Sequence, residues 1–392
     1  MKFEFATAQR IIFGRGALAQ LPGLMTALRP AAQQLHDVHL LVVGGAESRR
    51  LLPLLAVLDQ ADLRYTIFQV TQEPTVEMVQ AGVAVARTVN AAAVIAMGGG
   101  SVMDGAKAIA ALASNPGQPL DYLEVIGQGL PLTTPALPVI AVPTTAGTGA
   151  EVTKNAVLAS SAHQVKVSLR HNSMLPAVAL VDPALTDDLP PGLTANTGLD
   201  ALTQCLEPFV SHLATPLTDG FCREGMARAA RSLRRAVADG GDHAARDDMA
   251  LASLCGGLAL ANAKLGAVHG LAGPLGGIFP LPHGVVCARL LPLVMDANVR
   301  ALRQRQPDAA ALARYGEVAQ ILTGDDRASI DEGVAWVQSL CRDLNTPGLA
   351  AYGVSPQEFS AIVAKAQAGS SMKGNPIALT DDEVAGILAA AR

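Results

Sequence analysis

Four apolar runs in the first half of the chain constrain its fold more than any other feature. Each is short and dominated by aliphatic, aromatic or β-branched residues. The runs are "HLLVVGG" (39–45), "YTIFQV" (65–70), "AAVIAMGGGS" (92–101) and "LPVIAVPTT" (137–145). Ala-rich segments of helical character lie between them, at 48–61, 75–90 and 103–114. Apolar strands separated by helices indicate a parallel sheet covered on both faces, with ligands at the carboxyl ends of the strands. This half predicts an α/β domain of the nucleotide-binding kind.

The second half has a different periodicity. A Pro and Gly cluster at 190–192 marks a boundary. Beyond it, apolar residues recur at helical spacing with almost no strand signal. The helical segments are 194–211, 216–238, 244–265, 284–300, 307–322, 328–344, 356–367 and 380–391. We therefore predict two domains, an α/β domain over 1–190 and an all-α helical bundle over 191–392.

Composition argues against several classes of partner and location. A net charge of −5 offers no clustered basic footprint for a nucleic acid. The start of the chain has no signal-peptide pattern, and the longest apolar stretch, 251–263, is shorter than the ~20 residues of a membrane span. Five scattered cysteines form no Cys-x-x-Cys pair, so we interpret each as a small hydrophobic residue. We expect a cytoplasmic protein.

Two loops after predicted strands suit a phosphate group. Gly98, Gly99, Gly100 and Ser101 lie between a buried strand and a helix, where free amide N–H groups and the helix dipole favour an anion. A plain tight turn is the alternative. Three hydroxyl residues follow another strand, where they could contact a dinucleotide or a substrate, or form an ordinary turn. They are Thr144, Thr145 and Thr148.

Polar residues in the helical half suggest a metal site. Asp200 and Gln204 are four residues apart, so a helix would present both on one face. His269 and His283 stand beside glycines in a Gly- and Pro-rich stretch. Two imidazoles and one carboxylate would suit Fe(II) or Zn(II) with a position left open for substrate. The alternatives are a solvated helix face and structural or capping histidines.

Eight segments occur in the order typical of one known family. They are "RIIFGRGAL", "GGGSVMDGAKAIA", "PTTAGTGAEVTKNAVL", "VDPALTDDLPP", "TGLDALTQCLE", "HGLAGPLGG", "PHGVVCARLLP" and "SSMKGNP". Together they resemble the iron-containing (group III) alcohol dehydrogenase family of the dehydroquinate-synthase-like superfamily. The resemblance implies a metal-dependent, NAD(P)-linked alcohol dehydrogenase or aldehyde reductase that transfers hydride between the nicotinamide and a small alcohol or carbonyl compound. It also implies a Rossmann-like, dinucleotide-binding N-terminal domain with a parallel sheet, a helical C-terminal domain that binds the metal and the substrate, and a homo-oligomer, at least a dimer.

The resemblance assigns roles to individual residues. The catalytic metal ligands would be Asp200, His269 and His283, together with the residue at position 204, which is Gln204 in this chain. Lys166 would contact the nicotinamide ribose, and Asp104 would cap or buttress the glycine loop. Two residues depart from the family pattern, because Gln204 and Gly273 stand where histidines are common. Gln204 would be a weak, uncharged ligand, and without a histidine at 273 water or the ribose hydroxyl would have to relay the proton.

The end of the first long strand bears on cofactor choice. Family members that prefer NAD usually carry an acid there, but this chain reads "VVGGAESRR". Gly44 and Gly45 leave room, and Ser48 and Arg49 follow, so a 2′-phosphate could be met by an arginine. We expect NADP(H) to be favoured over NAD(H). The alternative is that the arginines belong to a solvated helix face.

Three relatives of different function compete with this interpretation. One is a metal-independent enzyme like maleylacetate reductase, and another is a dehydroquinate-synthase-like lyase. The third is a non-catalytic, filament-forming relative. The "TTAGTGAEVT" loop, the metal-ligand residues and the lack of a basic cluster near the histidines favour the dehydrogenase.

Overall fold

The structure, a computed structural model, describes residues 2–28, 37–160, 162–163 and 165–392. The chain divides into two compact units. The α/β unit consists of Ala6–Thr145 and Ala150–Thr186. The helical unit consists of Asp187–Arg392, Ala146–Gly149 and a short N-terminal stretch ending at Phe5. The domain boundary predicted between 190 and 191 stays a prediction.

The α/β unit is built on a parallel sheet. Within the described residues the sheet has six strands in the order β1-β8-β5-β4-β2-β3. The strands are β1 (Arg10–Phe13), β2 (His39–Gly44), β3 (Arg64–Gln69), β4 (Ala93–Gly98), β5 (Val139–Pro143) and β8 (Val178–Val181). β6 (Asn155–Ser160) and β7 (Val165–Arg170) form a separate antiparallel pair. The four predicted strands correspond to β2–β5, whereas β1, β6, β7 and β8 were not predicted.

Burial explains which strands were evident from sequence. Every residue of β4 and β5 is buried, as expected for central strands covered on both faces. The helices of this unit are α1 (Leu21–Leu28), α2 (Leu52–Gln60), α3 (Val76–Thr88), α4 (Gly100–Ala113) and α5 (Pro119–Tyr122). The register pairs Gly44 of β2 with Met97 of β4, and Gly98 of β4 with Pro143 of β5. The loops that follow these three strands therefore leave from one edge of the sheet.

The helical unit contains the remaining long helices. They are α6 (Pro191–Val210), α7 (Pro216–Ala238), α8 (His243–Ala263), α9 (Ala267–Ile278), α10 (His283–Arg305), α11 (Ala310–Thr323), α12 (Ile330–Asp343), α13 (Phe359–Ala368) and α14 (Asp381–Ala391). Eight of these nine described helices match predicted segments, and the predicted fold class is confirmed. The exception is α9, whose sequence "AVHGLAGPLGGI" is rich in Gly and contains Pro274.

Packing accounts for helix α9. Its sequence has low intrinsic helix propensity, because Gly and Pro are the least favourable residues in a helix. Val268, Leu271 and Leu275 are nevertheless completely buried in the core of the helical unit. Burial of one apolar face supplies most helical stability in proteins, so this helix depends on its neighbours.

One pair of consecutive helices has the length and composition of a membrane span. Among the described residues no single helix is long and apolar enough to cross a bilayer. In this part of the chain only one pair of helices, His243–Ala263 and Ala267–Ile278, reaches the length and apolar composition of a membrane span when the two are taken together. A 96° bend separates them.

Two glycines on helix α7 provide a matched test of packing. A Cβ at Gly225 would lie 2.3 Å from Cys205 Sγ, whereas a Cβ at Gly220 would meet nothing within 4 Å. Both Gly→Ala changes gain the same helix propensity, roughly 0.5–1 kcal/mol. We expect Gly220→Ala to raise the melting temperature. Gly225→Ala should lower it, because overpacking costs about 1–3 kcal/mol. Calorimetry on both variants measures the difference, and equal shifts would contradict the packing of α6 against α7.

Candidate metal centre and cofactor loops

Helix α6 has a polar face inside an apolar environment. Asp200, Gln204 and Glu207 lie at positions i, i+4 and i+7, so their side chains share one face. All three residues are at least 97% buried, and Leu199 and Leu202 on the same helix are fully buried. Burying such groups is costly unless each finds a partner. The partners of these three side chains therefore reveal what the face is for.

Glu207 is fully satisfied by helix α9. His269 Nδ1–H donates to Glu207 Oε2 at 2.7 Å, and the backbone N–H of Val268 donates to Oε1 at 2.7 Å. The first bond sets the tautomer of His269, so that Nε2 is the nitrogen left to act as a ligand. The second bond gives a partner to the Val268 N–H, because amides in the first turn of a helix have no intrahelical acceptor.

A second layer of hydrogen bonds supports this contact. Asn375 Oδ1 accepts from the backbone N–H of Ala267 at 3.1 Å and from Asn298 Nδ2 at 3.1 Å. Gly266 precedes α9, and a Cβ there would lie 2.9 Å from both Glu207 Oε1 and Asn375 Oδ1. The close approach therefore requires glycine. The "SSMKGNP" segment contributes Asn375 and thereby helps to hold the start of α9.

Four potential metal ligands lie close together at this face of α6: Asp200, His269, His283 and Cys287. Asp200 Oδ1 lies 3.3 Å from His269 Nε2 and 3.8 Å from His283 Nε2. Cys287, one turn after His283 on α10, places its Sγ 3.7 Å from His269 Nε2 and 3.6 Å from His283 Nε2. One donor atom from each of the four residues lies within 4.8 Å of all the others. Asp200, His269 and Cys287 are enclosed, whereas the His283 side chain is 43% exposed.

The polar atoms of this cluster fit a divalent cation. Gln204 Nε2 donates to Asp200 Oδ2 at 3.1 Å, but Asp200 Oδ1 is buried and accepts no hydrogen bond from the described residues. Gln204 Oε1 is also buried without a donor from that part of the chain. An unsatisfied buried carboxylate oxygen is costly. Oxygen, imidazole and sulfur donors around it are ligands that Zn(II) and Fe(II) accept.

The electrostatics of the cluster agree with a cation site. Burial raises the pKa of Asp200, but the positive charge of His283 and the close approach of His269 outweigh burial and bring that pKa below its usual value. The charge of Cys287, opposed by burial and reinforced by Asp200, raises the pKa of His283 to about 9. Burial lowers the pKa of His269, but Cys287, Asp200 and Glu207 raise it well above its usual value. The surrounding anions thus stabilise positive charge at this point.

The structure brings several of the predicted cofactor residues together in the α/β unit. Gly99 caps α4, with Gly100 and Ser101 in the first turn. The Thr144 N–H donates to Gly98 O at 3.0 Å, and a Cβ on Gly99 would lie 3.3 Å from Thr145 Oγ1. A Cβ at Gly98 would lie 2.5 Å from Val102, so this position needs glycine. The glycine loop and two threonines thus lie side by side at the carboxyl edge of β4 and β5.

The other predicted cofactor residues have separate surroundings. Gly44 ends β2 and Gly45 follows it, and Ser48 Oγ accepts from Gln69 Nε2 at 2.8 Å. Asp104 accepts from the Val157 N–H at 3.0 Å and lies 3.3 Å from Lys107 Nζ. Lys166 on β7 forms an ion pair with Glu73.

Two further predicted residues complete this set. Arg49 is 79% exposed and pairs with Glu47. Thr148 belongs to the short stretch Ala146–Gly149 of the helical unit. The cofactor roles of all these residues stay predictions.

Known proteins resemble this chain over its whole length. Residues 8–183 match the family described as iron-containing alcohol dehydrogenase, and residues 194–392 match the C-terminal domain of the same family. Alcohol dehydrogenase 4 of Saccharomyces cerevisiae is 38% identical over 334 residues, which cover 85% of this chain and 84% of that protein.

Solved structures agree. A 1,3-propanediol oxidoreductase superimposes with a TM-score of 0.91 at 31% identity, covering 100% of both chains. A sulfoacetaldehyde reductase from Bifidobacterium kashiwanohense, solved with NAD+, has a TM-score of 0.86 at 28% identity, covering 100% of this chain and 99% of that one.

This chain belongs to the iron-containing alcohol dehydrogenase family.

Membership in the iron-containing alcohol dehydrogenases makes the chain an oxidoreductase that acts on CH–OH groups. The family also implies a divalent metal and a nicotinamide dinucleotide. Of the four predicted metal ligands, Asp200, His269 and His283 lie together, whereas Gln204 directs its amide nitrogen to Asp200.

Two residues of the metal centre were missed in the sequence. Glu207 lies at i+7 from Asp200, and Cys287 lies at i+4 from His283. Both spacings put the residue on the same helix face as its partner. Both spacings are visible in the sequence, but the sequence analysis interprets Cys287 as a small hydrophobic residue and makes no prediction for Glu207.

Glu207 should control metal affinity without touching the metal. In Glu207→Gln an NH2 group replaces one of the two carboxylate oxygens. Only one acceptor oxygen then remains for two donors, the Val268 N–H and His269 Nδ1–H. Loss of such a partner typically weakens metal binding about 10–100-fold. Competition with a chromogenic chelator measures the affinity, and the exposed Glu224→Gln on α7 is the control. An unchanged zinc affinity in Glu207→Gln would show that this carboxylate does not orient the ligand.

Proposed function

We propose that this chain interconverts a small alcohol and its aldehyde or ketone, using a nicotinamide dinucleotide and a divalent metal held around Asp200, His269 and His283. The observation that carries the proposal is the buried Asp200 Oδ1, which has two imidazoles beside it and no hydrogen bond from the described residues. When bound, the metal supplies a Lewis acid that stabilises negative charge on the alcohol oxygen.

The chain's own residues prepare this site. Asp200 supplies a fixed negative charge, and Gln204 holds one of its oxygens by a hydrogen bond. Glu207 fixes the orientation of His269. The half-exposed His283 marks the side from which a substrate can reach the cluster. Gly273 lies one turn after His269, and a Cβ there would meet nothing within 4 Å, so water or substrate has room where relatives carry a histidine.

The metal-independent alternative is less favoured. A maleylacetate-reductase-like enzyme has no need for an unsatisfied carboxylate buried between two imidazoles. The helical unit of this chain retains that arrangement together with Glu207 as its support. A buried carboxylate oxygen that accepts no hydrogen bond is costly, so the retention of Asp200 Oδ1 in this state favours a metal-dependent reaction. The filament-forming alternative likewise does not explain it.

Cofactor choice, location and assembly extend the proposal. We favour NADP(H), because Gly45 leaves the end of β2 open and Arg49 lies nearby with a largely exposed side chain. A Cβ at Gly45 would have only Val102 within 4 Å, at 3.8 Å. The scattered free cysteines support a reducing, cytoplasmic location. A homo-oligomer, at least a dimer, is proposed from family resemblance alone.

Metal removal should abolish activity. We expect dialysis against a chelator to eliminate aldehyde-dependent NADPH or NADH oxidation, and Zn(II) or Fe(II) to restore it. Asp200→Asn should lower kcat/KM on the order of 10³-fold, because it removes several kcal/mol of stabilisation at the metal. Asp296→Asn, a change at a half-exposed position on α10, is the control. Full turnover by metal-free protein would refute the metal-dependent function.

Gly45 tests the cofactor preference. A carboxylate introduced by Gly45→Asp at the end of β2 would repel a 2′-phosphate and could accept hydrogen bonds from a ribose diol. We expect the ratio of kcat/KM for NADPH to that for NADH to fall about tenfold or more. Steady-state assays with both cofactors and one aldehyde measure the ratio. An unchanged ratio would remove the basis for the NADP(H) preference.

A further inference from the structure

We propose that Cys287 is a metal ligand and takes the position that the family pattern gives to a histidine at 204. The inference rests on the metal site of the proposed function, and it adds the identity of the fourth donor. The resulting site is Asp200, His269, His283 and the Cys287 thiolate. This set of donors favours zinc over iron, because thiolate ligands are preferred by the softer ion.

The observed separations match a tetrahedral site. Zinc–nitrogen bonds of about 2.05 Å and zinc–sulfur bonds of about 2.3 Å give edges of roughly 3.6 Å between sulfur and nitrogen in a tetrahedron. Cys287 Sγ lies 3.7 Å from His269 Nε2 and 3.6 Å from His283 Nε2. Asp200 Oδ1 lies 3.3 Å and 3.8 Å from the same two nitrogens, where about 3.4 Å is ideal. The four side chains are therefore arranged for one small cation, which would expand to five ligands when a substrate oxygen binds.

Gln204 does not fill the fourth position. Its amide nitrogen donates to Asp200 Oδ2 at 3.1 Å, so a donor group, and not the oxygen that could ligate a metal, faces the carboxylate. Gln204 Oε1, which has no donor among the described residues, faces Gly256 instead, where a Cβ would lie 3.5 Å from that oxygen. Gln204 is a positioning residue for Asp200, and Cys287 on α10 takes the place of the imidazole that the family pattern has at 204.

The other cysteines have different surroundings. Cys205 Sγ donates to Ala252 O at 3.5 Å, and Cys341 Sγ donates to Ala288 O at 3.3 Å. Cys222 and Cys255 are buried in the core cluster of the helical unit. Among the five cysteines, all in the described part of the chain, Cys287 alone belongs to a group of potential metal donors.

A thiolate ligand changes the charge of the site. Metal binding displaces the thiol proton to solvent, and the bound set then carries two anionic ligands, Asp200 and Cys287. With a divalent ion the site is neutral, whereas one carboxylate and three imidazoles would leave it with a charge of +1. The neutral site suits burial better, and it makes the ion a milder Lewis acid than the pattern with three histidines.

Cobalt substitution tests the ligand directly. The full-length chain is stripped of metal, loaded with Co(II) and examined by absorption spectroscopy, because sulfur ligation produces a thiolate-to-Co(II) charge-transfer band in the near ultraviolet. We expect the band in the wild-type chain and in Gln204→Ala, and its loss in Cys287→Ser. The matched control is Cys341→Ser, which removes another buried thiol of the helical unit and should keep the band.

Affinity provides a second readout. Cys287→Ser should lose more zinc affinity than the ~100-fold that removal of an outer partner costs. Circular dichroism checks that Cys287→Ser folds. If it does not fold, the presence or absence of the thiolate band in the wild-type Co(II) spectrum still tests whether a cysteine is a ligand. Co(II) bound by the wild-type chain without a thiolate band would overturn the assignment of Cys287 and leave the proposed function standing. Failure of the wild-type chain to bind Co(II) or Zn(II) would overturn both.

Discussion

The carboxylate of Glu207 is the contact on which the metal centre depends. It lies on α6 and accepts from two donors in the first turn of α9, one from the backbone and one from His269. The same two bonds therefore begin a helix of low intrinsic propensity and select the imidazole nitrogen that faces Asp200. Asn375 supports the neighbouring amide. The orientation of His269 and the packing of α9 against α6 are consequently coupled, because a change in either one would disturb the other.

The two buried carboxylates of α6 have contrasting environments. Both oxygens of Glu207 accept hydrogen bonds, whereas Asp200 has one satisfied oxygen and one without a donor in the described chain. Buried polar groups without partners are rare in folded proteins and need an explanation. Here the explanation is a ligand that the polypeptide does not supply. The difference between the two residues separates an orienting carboxylate from a ligating one, although sequence alone makes them look alike.

Much of the fold was predictable, because its central strands are apolar on both faces and its long helices are amphipathic. β1 and β8 have only four residues each, and β6 and β7 interleave buried residues with partly buried ones, so none of these strands forms a long apolar run. Helix α9 was hidden by Gly270, Gly273 and Pro274, because tertiary burial overrides propensity there. The site was half predictable. Asp200, His269 and His283 followed from motifs, but the approach of Cys287 to His269 depends on how α9 packs on α10, which local sequence does not encode.

The chain positions of the four donors have a consequence for how the protein assembles. Asp200 is carried by α6, His269 by α9, and His283 and Cys287 by α10, with α7 and α8 between the first and the rest. Contacts between residues far apart in sequence form only after the loop-closure entropy between them has been overcome. A complete donor set therefore exists only when these helices have already packed together. Metal capture accordingly comes late in folding and adds its binding energy to a conformation that the helical core has first selected.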